Sequence, residues 1–211
     1  MAESSGNGPR TGSGAILVAA GILMSRLMGL VRLRVFSHYF GLRSDAADAF
    51  NAAFRIPNFL QNLFGEGVLS ASFIPVYAGL LGRGDEREAG RVAGAVAAIL
   101  SLATSLLALA GVLAAPVLVD VVAPGFEGEK RALTIELVRI LFPGAAILVL
   151  SAWCLGVLNS HRRFLLSYAA PVIWNLAMIA TLLLFGGRDL TFLAMALAWG
   201  SVAGSALQFA V

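Results

Sequence analysis

Apolar residues run along this chain in long blocks, not in the short alternation of a strand. The blocks fall at 15–41, 46–80, 92–119, 133–158, 164–185 and 190–211. Each can supply the ~20 residues that carry a helix across about 30 Å of hydrocarbon. Between them lie GLRSDAAD, GRGDEREAGR, APGFEGEKR, NSHRR and GGRD, which combine turn formers with charge. The pattern predicts an all-α polytopic membrane protein, with a six-helix lobe over 15–211 behind a disordered, small and polar tail over 1–14. The second block is overlong, and Gly65-Glu66-Gly67 interrupts it. Splitting it there leaves a second piece short for a crossing, so one broken or tilted helix is expected. A secretory signal is rejected, because the first block runs past signal length and Arg26, Arg32 and Arg34 stand where a cleavage region is small and neutral.

Composition sharpens the class. With 59% hydrophobic and 13% charged residues and a mean hydropathy of +0.86, the chain lies outside the range of soluble domains. Its net charge of +3 is small and dispersed, so no nucleic-acid surface is expected. Placing the N-terminus in the cytoplasm puts Arg10, Arg83, Arg87, Arg91, Arg162 and Arg163 inside, against Arg43, Lys130, Arg131 and Arg188 outside, a bias that favours this orientation. The single cysteine, Cys154, excludes an intrachain disulfide and reads as a small buried hydrophobe. No metal-ligand spacing and no nucleophile with a base partner occurs. His161 is expected to be a solvated loop residue, and neither a cofactor nor catalysis is anticipated. The last block stops at Val211 without a polar flank. The expectation is therefore a fragment, cut at the end of its sixth helix.

The second block carries a polar pattern of its own, DAFNAAFRIPNFLQNLFGE. At about 100° per residue, Asp48, Asn51, Arg55, Asn58, Asn62 and Glu66 share an arc of about 80° that rises about 27 Å. Charges in lipid cost several kcal/mol each, so this stripe must face protein or a water-filled cavity. A seam glued by asparagine is the competing reading. The first block adds Arg26 and Arg32, about 120° apart on an ideal helix, with Gly29 between them able to absorb a bend that brings both into one space. Arg34 and His38 read as snorkelling groups near the far interface. Guanidinium stays charged and forks onto phosphate oxygens, so the arginines suit a phosphate-bearing anion.

The runs SRLMGLVR, DAFNAAFRIPNFLQNLFGEG, SASFIPVYA, APGF, LNSHRRF and AAPVIWN, in that order over residues 25 to about 175, resemble the MurJ/MviN family of lipid II flippases in the MOP superfamily. The resemblance implies the N-terminal lobe of a MOP-type transporter in the bacterial inner membrane. A C-terminal lobe, membrane lipids and lipid II, the undecaprenyl-diphosphate-linked peptidoglycan precursor, would be its partners. It also implies substrate-binding roles for Arg26, Arg32 and Arg55, beside Asn51, Asn58 and Asn62 from the stripe, and gating or ion-pair roles for Asp48 and Glu66. Two positions depart from the family pattern: Gln61 stands where an arginine is common, about 80° off the stripe's centre, and Leu33 where an acid is common. Rival readings are another polysaccharide-lipid flippase, a multidrug antiporter, a prenyl-phosphate glycosyltransferase and a non-transporting scaffold. An antiporter for cations calls for a carboxylate-dominated cavity, and the glycosyltransferase for an acidic metal site.

Overall fold

The computed structural model describes residues 10–41, 43–161 and 163–211, and among them every regular element is helical. In chain order these are α1 (Arg10–Phe40), α2 (Asp45–Gln61), a π-helical segment (Asn62–Phe73), α3 (Ile74–Gly82), α4 (Glu86–Leu113), α5 (Ala115–Val122), α6 (Gly128–Ser160), α7 (Phe164–Phe185) and α8 (Leu190–Ala210). By length and composition α4, α6 and α8 are each able to cross a membrane. α6 lies at the centre, packed on α2, α4 and α8, while α1 leans on α7 and α7 on α8.

Several boundaries differ from the hydrophobic blocks, each for a local reason. The expected tail over 1–14 is helical from Arg10, since adding a turn to an existing helix avoids the cost of nucleation. Residues 1–9 lie outside the described part. The third block divides at Ala114 into α4 and α5. Pro116 cannot donate to the carbonyl one turn back, so the helix restarts there with proline in its first turn. α4 also begins before its apolar run, because Asp85 caps it by accepting from Glu88 N at 3.2 Å and acids fill the first turn. Ser44 does the same for α2, accepting from Ala47 N at 3.1 Å. The second block stays helical from Asp45 to Gly82, and its irregularity is the π segment, a wider coil of the kind often found at functional sites.

Small residues bring α7 and α8 close together. Gly200 and Gly204 of α8 face α7, where a Cβ at Gly200 would meet Thr181 Oγ1 at 2.2 Å and one at Gly204 would meet Trp174 Cδ1 at 3.0 Å. This glycine pair four residues apart lets the two backbones approach. It also brings Trp174 Nε1 within 3.1 Å of the Ser201 carbonyl, to which it donates.

Charge pairs tie the starts of α2 and α6 together, and α5 to α6. Lys130 Nζ lies 3.0 Å from Asp45 and 2.6 Å from Asp48, and 4.4 Å above the Phe126 ring. Arg131 forks onto Asp120, donating from Nε at 2.6 Å and from Nη2 at 2.9 Å. The fork holds the Asp120 carboxyl below its ordinary range. Asp48 therefore has an ion-pair partner, Lys130 of its own lobe, and among the described residues no arginine side chain of α1 lies within ion-pair distance of it.

Candidate functional site

Arg32 is the side chain around which a site forms. Its guanidinium carbon sits 4.7 Å from the Trp174 ring centroid and 5.7 Å from that of Phe54, and Nη1 donates to Met178 Sδ at 3.2 Å. Phe54 and Trp174 stack on each other at 5.9 Å, and Trp174 is anchored to α8 through Ser201. Among the described residues no carboxylate lies within ion-pair distance of Arg32. The cation is thus held by aromatic faces, which attract it without neutralising it.

Arg32 borders a cavity of about 540 Å³. α1 contributes Ser25 and Arg32, and α2 contributes Phe54, Asn58 and Gln61, with Asn62 just beyond. Asn159 of α6, Trp174 and Asn175 of α7 and Gln208 of α8 form the other walls. Gln208 Nε2 is 3.0 Å from the buried Ser151 hydroxyl, which ties α8 to α6. Among the described lining residues Arg32 carries the only charge, and the other polar groups are one serine and six amides.

The expected site residues do not all meet here. Asn58 and Asn62 line the cavity with Arg32. Asn51 borders a small cleft that also touches Arg32. Arg55, with Asp48 and Asn51, instead faces a separate space of about 410 Å³ towards the α5–α6 connection. The wheel explains the division. Taking Asn51 as zero, the cavity faces the arc from Gln61 at about 280° through Phe54 and Asn58 to Asn62 at about 20°, so Arg55 at about 40° and Asp48 at about 60° fall beyond its edge. Gln61 lies off the stripe, as expected, and still lines the cavity, because the cavity is offset from the stripe. Arg26 is exposed and outside the cavity lining, and α1 continues unbroken through Gly29, so the helix angle between Arg26 and Arg32 is not closed by a helix break. The side chain of Glu66 lies outside the described residues.

Sequence reasoning passed over Trp174, Asn175, Asn159 and Gln208. The available signal was an amide or indole inside an apolar block, since a polar group at that depth needs a reason. His161 was expected to be solvated. It is exposed, yet its Nε2 is 2.9 Å from the hydroxyl of the buried Tyr77, joining the α6–α7 connection to α3.

Known proteins share both the sequence and the fold. A family described as lipid II flippase MurJ matches residues 36–211. The lipid II flippase MurJ of Burkholderia cenocepacia is 35% identical over 200 residues, covering 93% of this chain and 38% of that protein. The probable lipid II flippase MurJ of Haemophilus influenzae is 36% identical over 197 residues, covering 89% of this chain and 38% of its own length. A solved structure of a lipid II flippase MurJ in an inward closed conformation matches with a TM-score of 0.73 at 27% identity, covering 92% of this chain and 40% of that one. The chain spans less than half the length of these relatives. Its apolar helices make it a multi-pass membrane protein with the fold of a transporter lobe. On the family match and this shared fold, the chain belongs to the lipid II flippase MurJ family.

Proposed function

We propose that this chain forms one wall of a lipid II flippase, with Arg32 receiving the diphosphate. The observation that carries this is the unpaired Arg32 guanidinium, held over Trp174 as the lone charge among the described residues of a 540 Å³ cavity. A cation kept free of carboxylates retains its fork for phosphate oxygens. The amides around it suit the hydroxyl and amide groups of a saccharide-peptide head. Translocation follows by alternating access, this lobe rocking against a second, C-terminal lobe around the bound head. The membrane is the bacterial inner membrane, and the N-terminus is cytoplasmic by the arginine distribution.

Asn58 and Asn62 share the substrate cavity. Arg26, Arg55 and Asn51 lie outside it or at its edge, and act as outer cations and a polar neighbour that attract the head during entry or exit. Asp48, paired with Lys130, and Glu66 act on the gate. A lining with no carboxylate among its described residues counts against the cation-antiporter alternative, which needs one to hold its substrate or coupling ion.

The test is growth of a flippase-depleted bacterium on variants of this lobe joined to a C-terminal lobe, with membrane abundance measured alongside. Arg32→Ala is expected to fail at normal abundance, and Arg32→Lys to be impaired because it keeps charge but loses the planar fork. Full growth with Arg32→Ala would refute the assignment.

A further inference from the structure

Two amide oxygens in the cavity wall have no partner among the described residues. Asn175 is 7% exposed, and its Nδ2 donates to the Pro171 carbonyl at 3.0 Å. Only the nitrogen end of an amide can meet a carbonyl, so this bond fixes the side chain's orientation and leaves Oδ1 as an unmatched acceptor. No described residue donates to that oxygen. Asn159 Oδ1, on α6 across the same cavity, is likewise buried and without a partner among the described residues. Buried acceptors are nearly always satisfied, so a pair left open around one cavity points to a ligand that brings donors.

The chemistry of that ligand can be narrowed. Phosphates and carboxylates carry acceptors only, and would repel an amide oxygen. A metal cation takes carbonyl oxygens readily, but here it would share the cavity with the Arg32 guanidinium and find no carboxylate among the described lining residues. What remains is an uncharged donor, a hydroxyl or an amide N–H. Asn175 lines the same cavity as Arg32 and as Trp174, whose ring carries the Arg32 guanidinium, so the acceptor and the anion site open on one space.

We infer that Asn175 and Asn159 form a hydrogen-bond-accepting subsite that reads hydroxyl or amide N–H groups on the neutral saccharide-peptide portion of the ligand, next to the phosphate site at Arg32. The subsite rests on the proposal that the cavity takes a diphosphate-bearing lipid. It adds that the cavity distinguishes that lipid from the bare lipid diphosphate.

Binding of lipid II and of undecaprenyl diphosphate, which lacks the head, to the full chain in nanodiscs separates the two claims. Asn175→Leu and Asn159→Ala should each weaken lipid II about 5- to 10-fold, the worth of one hydrogen bond to a neutral group. Both should leave undecaprenyl diphosphate unchanged, whereas Arg32→Gln should weaken both lipids. If Asn175→Leu does not fold, as read by its thermal midpoint, the less buried Asn159→Ala decides. A preference for lipid II that survives in the folded variants, as it would if water alone met these oxygens, overturns the subsite and leaves the diphosphate site standing. A wild-type chain that binds both lipids equally overturns the subsite as well. Binding of neither lipid overturns both proposals.

Discussion

The contact between Arg32 and Trp174 makes a quantitative demand on stability. With the guanidinium carbon 4.7 Å from the ring centroid and both side chains half-buried, the pair lies between an exposed cation–π contact of about 0.5–1 kcal/mol and a desolvated one of about 2 kcal/mol. A coupling of about 1–1.5 kcal/mol is expected. Trp174→Leu costs more than this on its own, because it also removes the bond from Nε1 to the Ser201 carbonyl, about 0.5–1.5 kcal/mol. Stacking on Phe54 at 5.9 Å adds about 0.5–1.5 kcal/mol. The single change should therefore destabilise by about 2–4 kcal/mol, and only part of that reports on Arg32. Reversible unfolding in mixed micelles of wild type, Trp174→Leu, Arg32→Met and the double variant isolates the pair, since losses at Ser201 and Phe54 recur in both backgrounds and cancel. A coupling below about 0.3 kcal/mol, the error of additivity between independent sites, would show that Trp174 does not hold Arg32.

Three further outcomes follow. Gly200→Val should destabilise by about 1–3 kcal/mol in the same unfolding assay, because its Cβ would stand 2.2 Å from Thr181 Oγ1, whereas Gly94→Ala, with nothing near its Cβ, should change little. In a Cys154→Ser background, single cysteines at Asn58, Gln61 and Asn62 should react with a membrane-impermeant thiol reagent while one at the outward-facing Phe59 should not; equal protection of both sets would leave the polar positions as a packing seam. Asp120, its carboxyl held low by Arg131, lends stability that is present above its unfolded value of about 3.9 and is lost as pH falls through the lower folded value, so the difference in thermal midpoint between wild type and Asp120→Asn should be steady near neutrality and vanish in strong acid.

The class of fold was legible because hydrocarbon imposes a length and a composition on every helix that crosses it, and no local detail overrides that. Where helices end was less legible, because caps and prolines act one residue at a time: Asp85 extends α4 into a charged linker and Pro116 divides what reads as one apolar run. The polar stripe of α2 was visible as a periodicity, and Asn58 and Asn62 do reach the cavity. The direction of the cavity was not visible, since it is set by what packs around α2. A turn of several tens of degrees brought Gln61 in and put Arg55 out. Past Gln61 the ideal wheel no longer applies, because the π segment advances by a smaller angle per residue. Trp174 and Asn175 escaped for another reason: their significance lies in α8, where Gly200 and Gly204 admit α7 closely enough for Ser201 to fix the indole.

The separation of the cations has a consequence for how such a lobe would work. Three arginines in one dry space would repel one another when empty and hold a diphosphate too firmly to release it, since each charge-assisted hydrogen bond contributes about 1.5–3 kcal/mol. A single guanidinium over an aromatic ring supplies one such anchor. The six amides around it supply neutral bonds of about 0.5–1.5 kcal/mol each, any of which can be exchanged for water as the head moves. Arg55 faces its own space beyond the cavity edge, and Arg26 is exposed. Placed there, they can draw an anion towards Arg32 without adding to the depth of the well it must leave. A carrier needs binding strong enough to select and weak enough to let go. Under the proposed assignment the two demands would fall on different features of this lobe, selection on Arg32 with the amide oxygens, and release on the scarcity of charge around them.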